Sequence, residues 1–364
     1  MRGILIALTL AAAQIAPAAQ AAQAAQTATP AAQAAPPADV IRASAHPVPL
    51  VNANRPLSVT YTYKGERRTL DDFLTRTKTN GFLVLRGQKI VHERYTDANR
   101  TTRFQSWSMA KSFTSAAIGI ALKEGHIRSL DDPVTRYLPG LRGSGYDNVS
   151  IRNLLRMSSG VDWDEGKDVP KMQAAAAKGL PLTPMVVRRR PDWTPGTRFE
   201  YNSMNSYVLA RVVTEATGTP YHRYVEKKIW RPAGMAGAAW ISADGDGHSL
   251  GYCCFHATDR DYARFGLLYL RQGKANGKQV VPASWVKAST SPSGVNPRYG
   301  LHWWLGGGED SKDFMAAGFG GQYIYVSPEH DVVIVKSTTS TGPHDQEEVL
   351  AAFRAVAAAV SATH

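Results

Sequence analysis

The run from Ser108 to Glu124 constrains the fold of this 364-residue chain more than any other segment. Phe113, Ala117 and Ile120 recur at steps of four and three residues, which is the period of a helix with a buried face. The run contains no proline, and Gly125 follows it, as is typical of a helix C-terminus. We therefore predict one long helix that begins at the serine and packs inside the protein.

Ser108 and Lys111 lie three residues apart in the first turn of this predicted helix. The N–H groups of a first turn have no helical partner, and the helix dipole makes this end positive. Residues at this spacing share a face, so the lysine amine can help to remove the proton of the serine hydroxyl. The pair predicts a nucleophilic serine with a lysine beside it.

Ser284 and Lys287 repeat this spacing, but Pro282 and Pro292 confine them to a short segment. We interpret that segment as a surface helix with Trp285 packed inward.

A third candidate is Ser249, because Gly247–Gly251 fits the Gly-x-Ser-x-Gly nucleophile elbow, with His344 and Asp331 as partners to consider. The elbow requires a strand before the serine and a helix after it. The residues on either side favour neither element, so the elbow remains a weaker alternative to Ser108.

Tyr201 follows a Pro195–Gly196 turn and precedes Asn202 and Ser203, two residues that can cap a helix. A phenol in such a place can relay a proton if a cation lowers its pKa. Taken alone, a tyrosine in this position is more often a packed core residue.

The run Gly318–Gln322 contains three glycines directly before a predicted strand. Glycines there allow a ligand to approach the backbone closely, and a strand edge offers an N–H group to an oxyanion. A glycine bulge at a sheet edge is the other interpretation.

The predicted fold class is α+β. Gly81–Tyr95 predicts a hairpin around a Gly87-Gln88 turn, and strands are predicted again at Tyr299–Leu305, Gln322–Val326 and Asp331–Ser337. Between them, residues 125–232 show helical patterns without strand alternation. This arrangement predicts an antiparallel sheet built from both chain ends, with flanking helices and an inserted α-rich subdomain.

The first residues have the pattern of an export signal. Arg2 precedes an apolar stretch, Ile4–Ala13, and small-x-small cleavage sites follow it. We predict a signal peptide over residues 1–24, an Ala/Gln/Pro-rich tether over 25–50 and one folded domain over 51–364. The expected location is the periplasm or the medium.

The composition excludes several partners. The net charge is +12, yet no long basic run or zinc-finger spacing indicates nucleic-acid binding. After the signal, no run of 18 apolar residues predicts membrane insertion. The histidines show no metal-ligand spacing, so we expect no metal and no cofactor. A monomer is the default expectation.

Cys253 and Cys254 are the two cysteines of the chain and are adjacent. We expect two small buried thiols, with a vicinal disulfide as the alternative in an exported protein.

Taken together and in this order, the motifs resemble those of the β-lactamase-related serine hydrolases. This group includes class C β-lactamases, D,D-peptidases, carboxylesterases of that fold and aminohexanoate-dimer hydrolases. The resemblance covers roughly Gly81 to the C-terminus. It is carried by Ser106–Ser112, Leu130–Val134, Ile151–Leu155 with Ser159-Gly160, Pro195–Tyr201, Ile229–Met235 and Gly318–Gln322.

The resemblance implies a role for each motif. Ser108 is expected to carry the acyl group, while Lys111 and Tyr201 share its proton and later activate water. The backbone N–H groups of Ser108 and Gln322 are expected to form the oxyanion hole. The substrate pocket is expected to include Trp107, Ser203, Phe319, Gly320 and Gly321.

Two departures from the family pattern affect the expected substrate. Ser203 stands where Asn is usual in Tyr-x-Asn, and Phe319 stands where a cation is common. Loss of that cation removes a partner for a substrate carboxylate. We therefore expect a carboxylesterase or an aminohexanoate-oligomer-type amidase acting on small esters or amides. A β-lactamase or D,D-peptidase, and an envelope sensor that is acylated without turnover, are the alternatives.

Overall fold

The computed structural model describes residues 38–307, 312–340 and 344–362. Its main helices are α1 (Leu70–Arg76), α2 (Ala110–Lys123), α3 (Ile151–Leu155), α4 (Glu165–Ala177), α5 (Thr183–Val187), α6 (Ser203–Thr217), α7 (Tyr221–Val225), α8 (Asp259–Leu270), α9 (Ala283–Ser289) and α10 (Gln346–Ala362). The early strands are β1 (Ala38–Ile41), β2 (Val51–Asn52), β3 (Thr60–Tyr63), β4 (Glu66–Thr69), β5 (Gly81–Arg86), β6 (Lys89–Tyr95) and β7 (Arg103–Gln105). The later strands are β8 (Ala239–Ser242), β9 (Phe255–Thr258), β10 (Lys274–Ala275), β11 (Lys278–Gln279), β12 (Trp304–Leu305), β13 (Phe314–Gly318), β14 (Gln322–Ser327) and β15 (Val332–Ser337).

The main sheet joins the two ends of the chain, as predicted. Its seven strands run in the order β12-β13-β14-β15-β5-β6-β2. The early hairpin meets the late strands where β15 pairs antiparallel with β5, for example Val335 with Leu83. Every pairing in this sheet is antiparallel except that of β2 with β6. The α+β fold class is therefore confirmed.

Helices cover both faces of this sheet. On one face, Phe73 of α1 and Phe353 of α10 meet edge to face at 6.2 Å, with Phe82 of β5 beside Phe353. On the other face, α2 and α8 pack together through Phe113 and Phe265, whose ring centroids are 3.7 Å apart. The strand side chains are therefore buried on both sides, which explains their continuous apolar runs.

Helix α2 lies at the centre of the molecule, and all its residues from Ala110 to Ala121 are buried. Gly119 lets another helix approach, because a Cβ atom at this residue would lie 2.2 Å from the ring of Trp285. Trp285 on α9 is 4% exposed, so the prediction that it packs inward is confirmed.

The predicted α-rich segment holds α3 to α7, and its described residues contain isolated β-bridges but no strand. Ser150 caps α3 by accepting a hydrogen bond from the Asn153 N–H, and Asn202 caps α6 from the Asn205 N–H. These caps explain why both helices begin where the sequence predicts them.

The structure differs from the sequence predictions at several places. The predicted strand Tyr299–Leu305 is reduced to Trp304–Leu305, and β13 was not predicted. A second sheet, β1-β8-β9-β7, was also missed because its four strands are short and far apart in sequence. Its strand β1 starts at Ala38, so the fold begins before the predicted tether boundary at residue 50.

The predicted signal peptide and the first part of the tether lie outside the described residues. Among the helices that the structure describes, none has the length and apolar character needed to span a bilayer.

Candidate active site

Ser108 lies in a tight 3₁₀ turn, Trp107–Met109, that leads into α2. The predicted helix start is therefore early by two residues. Trp107 has a φ of 45°, a backbone conformation that non-glycine residues rarely adopt. Ser106 fixes the turn, because its N–H donates to the Phe255 carbonyl at 2.7 Å and its Oγ accepts from the Phe255 N–H at 3.1 Å. The turn leaves Ser108 partly exposed at the surface of the site.

Lys111 is 2% exposed, and its Nζ makes three hydrogen bonds. The acceptors are Ser108 Oγ at 2.7 Å, Ser203 Oγ at 2.9 Å and the Tyr252 carbonyl oxygen at 3.1 Å. Burial lowers the pKa of Lys111 to about 8, and the negative charge of Glu165 opposes this shift. The predicted contact between Ser108 and Lys111 is therefore present, with an amine that loses its proton near neutral pH.

Tyr201 lies beside the same amine, with the Lys111 Nζ 5.0 Å from its ring centroid. Burial raises the pKa of Tyr201 above its usual value, the charge of Glu165 adds to this, and a hydrogen bond with Ser108 opposes it. This environment therefore favours the protonated phenol over a phenolate.

Ser203 joins Lys111 to Glu165, a carboxylate that sequence reasoning missed. The Ser203 Oγ accepts from Lys111 and donates to Glu165 Oε1 at 2.5 Å, while the Ser203 N–H donates to Glu165 Oε2 at 2.9 Å. Trp163 Nε1 also donates to Glu165 Oε2, at 2.7 Å. A polar path therefore runs from the carboxylate through one hydroxyl to the amine.

No sequence signal singled out Glu165. It is the first residue of α4, after the N-cap Asp164, and an acidic residue in a first turn is ordinary. Only the packing of α4 against α6 brings its carboxylate to Ser203.

The run Gly318–Gln322 forms the turn between β13 and β14. A Cβ atom at Gly318 would lie 2.4 Å from the Ser106 carbonyl oxygen, so only glycine allows this approach to the nucleophile turn. The rings of Trp107 and Phe319 meet edge to face at 5.4 Å. Gly320 and Gly321 have φ values of 79° and 100°, which the turn requires.

Gln322 was the predicted second donor of the oxyanion hole. Its side-chain amide is bonded to the Thr338 backbone at 2.7 Å and 3.1 Å, and it pairs with Gly318 across the turn. The contacts with the Ser108 turn are made by Gly318 and Phe319. The N–H of Gln322 stays a prediction, and the N–H of Phe319 is a second candidate.

Partly exposed aromatic side chains surround the opening at Ser108. Tyr201 stacks on Trp304 with ring centroids 5.7 Å apart, and Trp107 and Phe319 form the other pair. The site therefore presents apolar walls beside a buried amine and a hydroxyl.

The other candidate serines are placed differently. Ser249 lies in the loop between β8 and β9, where its Oγ donates to Asp39 Oδ2 at 3.3 Å. It lacks the strand-to-helix turn that a nucleophile elbow requires, which corrects that alternative. Ser284 lies on the short helix α9, as predicted.

Asp244, Asp246 and His248 form the one acidic and histidine cluster of metal-ligand size among the described residues. The oxygens of Asp244 accept hydrogen bonds from the N–H groups of Leu182, Asp246 and His248 and from the Tyr207 hydroxyl. This cluster therefore holds the loop before Ser249.

Cys253 and Cys254 are joined to each other by a disulfide. The expectation of two free thiols is wrong for this structure, and the vicinal alternative is the one observed.

Comparison with known proteins identifies the family of this chain. A family profile described as Beta-lactamase matches residues 67–359. The chain is 29% identical over 303 residues to the 6-aminohexanoate-dimer hydrolase of Paenarthrobacter ureafaciens, covering 75% of this chain and 76% of that protein. The chain belongs to the β-lactamase family and is a serine hydrolase.

Solved structures show the same fold. A putative 6-aminohexanoate-dimer hydrolase from Bacillus anthracis superposes with a TM-score of 0.80 at 24% identity, over 90% of each chain. A family VIII carboxylesterase superposes with a TM-score of 0.59 at 15% identity, over 76% of this chain and 91% of that one.

Proposed function

We propose that this serine hydrolase cleaves small esters or linear amides through an acyl group carried on Ser108. The observation that carries the proposal is the 2.7 Å contact of the buried Lys111 amine with the Ser108 hydroxyl. The lowered pKa of Lys111, about 8, leaves a minor fraction of the amine neutral at pH 7 and most of it neutral above pH 8, as a proton acceptor requires.

In acylation, Ser108 Oγ attacks the substrate carbonyl carbon and its proton passes to Lys111 Nζ. The resulting ammonium is stabilised by the Tyr252 carbonyl and by Ser203, whose own proton is held by Glu165. The C–O or C–N bond then breaks, and the ammonium returns the proton to the leaving atom beside the Tyr201 hydroxyl. Water repeats these steps on the acyl group and releases Ser108.

The negative oxygen of each tetrahedral intermediate needs backbone donors. We assign one to the Ser108 N–H and the other to the turn between β13 and β14, at Gln322 or at Phe319. The close approach of Gly318 to Ser106 supports this location.

The preference for esters and linear amides rests on the aromatic walls. Trp107, Phe319, Tyr201 and Trp304 offer apolar contacts to an acyl chain, and Phe319 replaces a cation that would attract a substrate carboxylate. The relative from Paenarthrobacter ureafaciens is named for a linear amide substrate, which supports this direction.

A substrate panel tests the preference. We compare kcat/KM for short p-nitrophenyl esters, a linear aminohexanoate amide and a chromogenic cephalosporin, and we expect the esters of short acyl chains to lead. If the cephalosporin leads by about ten-fold, a difference of 1.4 kcal/mol in transition-state binding, the argument from Phe319 is wrong. A burst of one product per protein without turnover would favour the acylated sensor instead.

A further inference from the structure

The segment Tyr252–Phe255 contacts Lys111 at one end and Ser106, directly before the Ser108 turn, at the other. Its first residue offers the carbonyl that accepts from Lys111 Nζ at 3.1 Å. Its last residue, Phe255, exchanges two hydrogen bonds with Ser106, directly before the nucleophile turn. Four consecutive residues therefore connect the base to the turn that carries the nucleophile.

The disulfide lies in the middle of this segment, and both of its cysteines are 2% exposed. Gln173 Nε2 donates to Cys253 Sγ at 3.4 Å, and Gln105 Nε2 approaches Cys254 Sγ at 3.6 Å. Gln173 belongs to α4, the helix that begins with Glu165, and Gln105 ends β7 just before Ser106. The disulfide thus lies between α4, the helix that carries Glu165, and β7, the strand that leads into the Ser108 turn.

The backbone of Cys254 has a φ of 76°, which is unfavourable for a residue with a side chain. Such a conformation persists when surrounding contacts determine it. Two thiols cannot remain at bonding distance, so reduction must separate the sulfur atoms inside a closely packed region. The adjoining peptides that would take up this movement are those that contact Lys111 and Ser106.

We propose that the Cys253–Cys254 disulfide is a positioning element of the active site, and that its reversible reduction slows hydrolysis. The disulfide holds the Tyr252 carbonyl against the Lys111 amine and Phe255 against Ser106. The inference rests on the proposed function of Ser108 and Lys111.

Reduction requires a dithiol reagent. One of its thiolates attacks a cysteine sulfur, breaks the Cys253–Cys254 bond and forms a mixed disulfide, which its second thiol then resolves. The two cysteines gain two electrons and two protons, and the reagent becomes a disulfide.

The test compares the oxidised and the dithiothreitol-reduced full-length protein, with the thiol state established by alkylation and intact mass. We expect kcat to fall by on the order of ten- to a hundred-fold on reduction, as for a small misplacement of a reacting group. The KM should change by less than about three-fold, since the substrate walls are intact. The rise of kcat/KM with pH should move to lower pH, because the Lys111 ammonium loses an acceptor and its pKa falls. Reoxidation should restore both kcat and the pH profile.

The matched control is the double variant Cys253→Ser/Cys254→Ser. It should resemble the reduced protein and be indifferent to dithiothreitol, and the wild-type comparison stands by itself if this variant does not fold. An unchanged kcat and pH profile after verified reduction would overturn the proposal, as would two free thiols in protein purified without reductant. Labelling of Ser108 by a fluorophosphonate in the oxidised protein separates this outcome from a failure of the proposed function.

Discussion

At the scale of single residues, Lys111 is the buried amine at the centre of the site. It is buried and bonded to three oxygen atoms, and the same amine contacts the nucleophile and the Ser203 link to a carboxylate. A charged amine in this place costs free energy through desolvation, and each bond offsets part of that cost. We therefore expect activity to depend on the Lys111 amine and the three oxygen atoms bonded to it.

Replacing the nucleophile tests the assignment of Ser108. We expect Ser108→Ala to be nearly inactive yet folded, because the covalent intermediate is lost. Lys111→Ala and Tyr201→Phe should each lower kcat by on the order of 10²–10⁴, as expected for groups in proton transfer. The measurements are steady-state kinetics and circular dichroism.

Two serine variants serve as controls for this series. Ser249→Ala and Ser284→Ala should keep kcat/KM within about three-fold of wild type, since the buried Ser249 hydroxyl is bonded to Asp39 and Ser284 is exposed on α9. A fluorophosphonate should give one adduct, on the peptide that contains Ser108. An adduct on Ser249 instead would refute the site assignment.

The pH profile tests the role of Glu165. The pKa of Lys111 is lowered to about 8, so kcat/KM should rise with pH and level off above that value as the amine loses its proton. Glu165 raises this pKa, so Glu165→Gln should move the midpoint of the rise to lower pH. Gln offers one acceptor oxygen to the three donors that Glu165 binds with two, so kcat should also fall by on the order of ten-fold or more.

Glu215→Gln is the matched control, because Glu215 is a partly exposed residue on α6 outside the site. It should leave the profile unchanged. A Glu165→Gln midpoint equal to that of wild type would show that the carboxylate does not act on Lys111.

At the scale of secondary-structure elements, α8 meets the main sheet through a buried acid. Asp259 begins α8, and its Oδ1 accepts from Ser337 Oγ of β15 at 2.6 Å. Its Oδ2 has no hydrogen-bond partner among the described residues and faces the Cα of Gly81. Burial raises the pKa of Asp259 to about 7.

The free energy of unfolding should depend on pH because of Asp259. Between the ordinary pKa near 4 and the folded value near 7, the folded protein binds the extra proton, so this residue's contribution to stability decreases as pH rises. Asp259→Asn should therefore gain stability relative to wild type at pH 8, by on the order of a few kcal/mol, and lose that advantage near pH 4. The measurement is denaturant unfolding across this pH range.

Asp331→Asn, at an exposed turn after β14, is the control and should show no such trend. A difference between Asp259→Asn and wild type that does not vary with pH would contradict the argument.

At the scale of the whole molecule, the main sheet combines strands from both ends of the chain. The register of β15 with β5 joins residues about 250 positions apart in sequence, and helices α2 and α10 bury the two faces. The sheet that supports the Ser108 turn therefore needs strands from both ends of the chain, and removal of either end would disrupt it.

Export belongs to this scale, because it concerns the residues before the folded domain. Arg2, the apolar stretch and the small-x-small sites predict that mature protein from the native host begins between Ala22 and about Thr27. N-terminal sequencing is the measurement. Protein from that host that retains Met1 would refute the prediction and the expected periplasmic or secreted location.

The sequence by itself determined the features that depend on local spacing. Ser108 and Lys111 are three residues apart, the hairpin alternates around its turn, and Ser150 and Asn202 begin helices by capping them. These features follow from backbone geometry over a few residues, so a pattern in one segment is enough to predict them.

The tertiary structure alone decided which distant groups surround the amine. Ser203 and Tyr252 lie 92 and 141 residues from Lys111 along the chain, and Glu165 meets Ser203 from another helix. The short strands of the second sheet and the disulfide likewise depend on packing between segments. No local pattern encodes such contacts, because burial and charge at one atom are the sum of what the whole fold places around it.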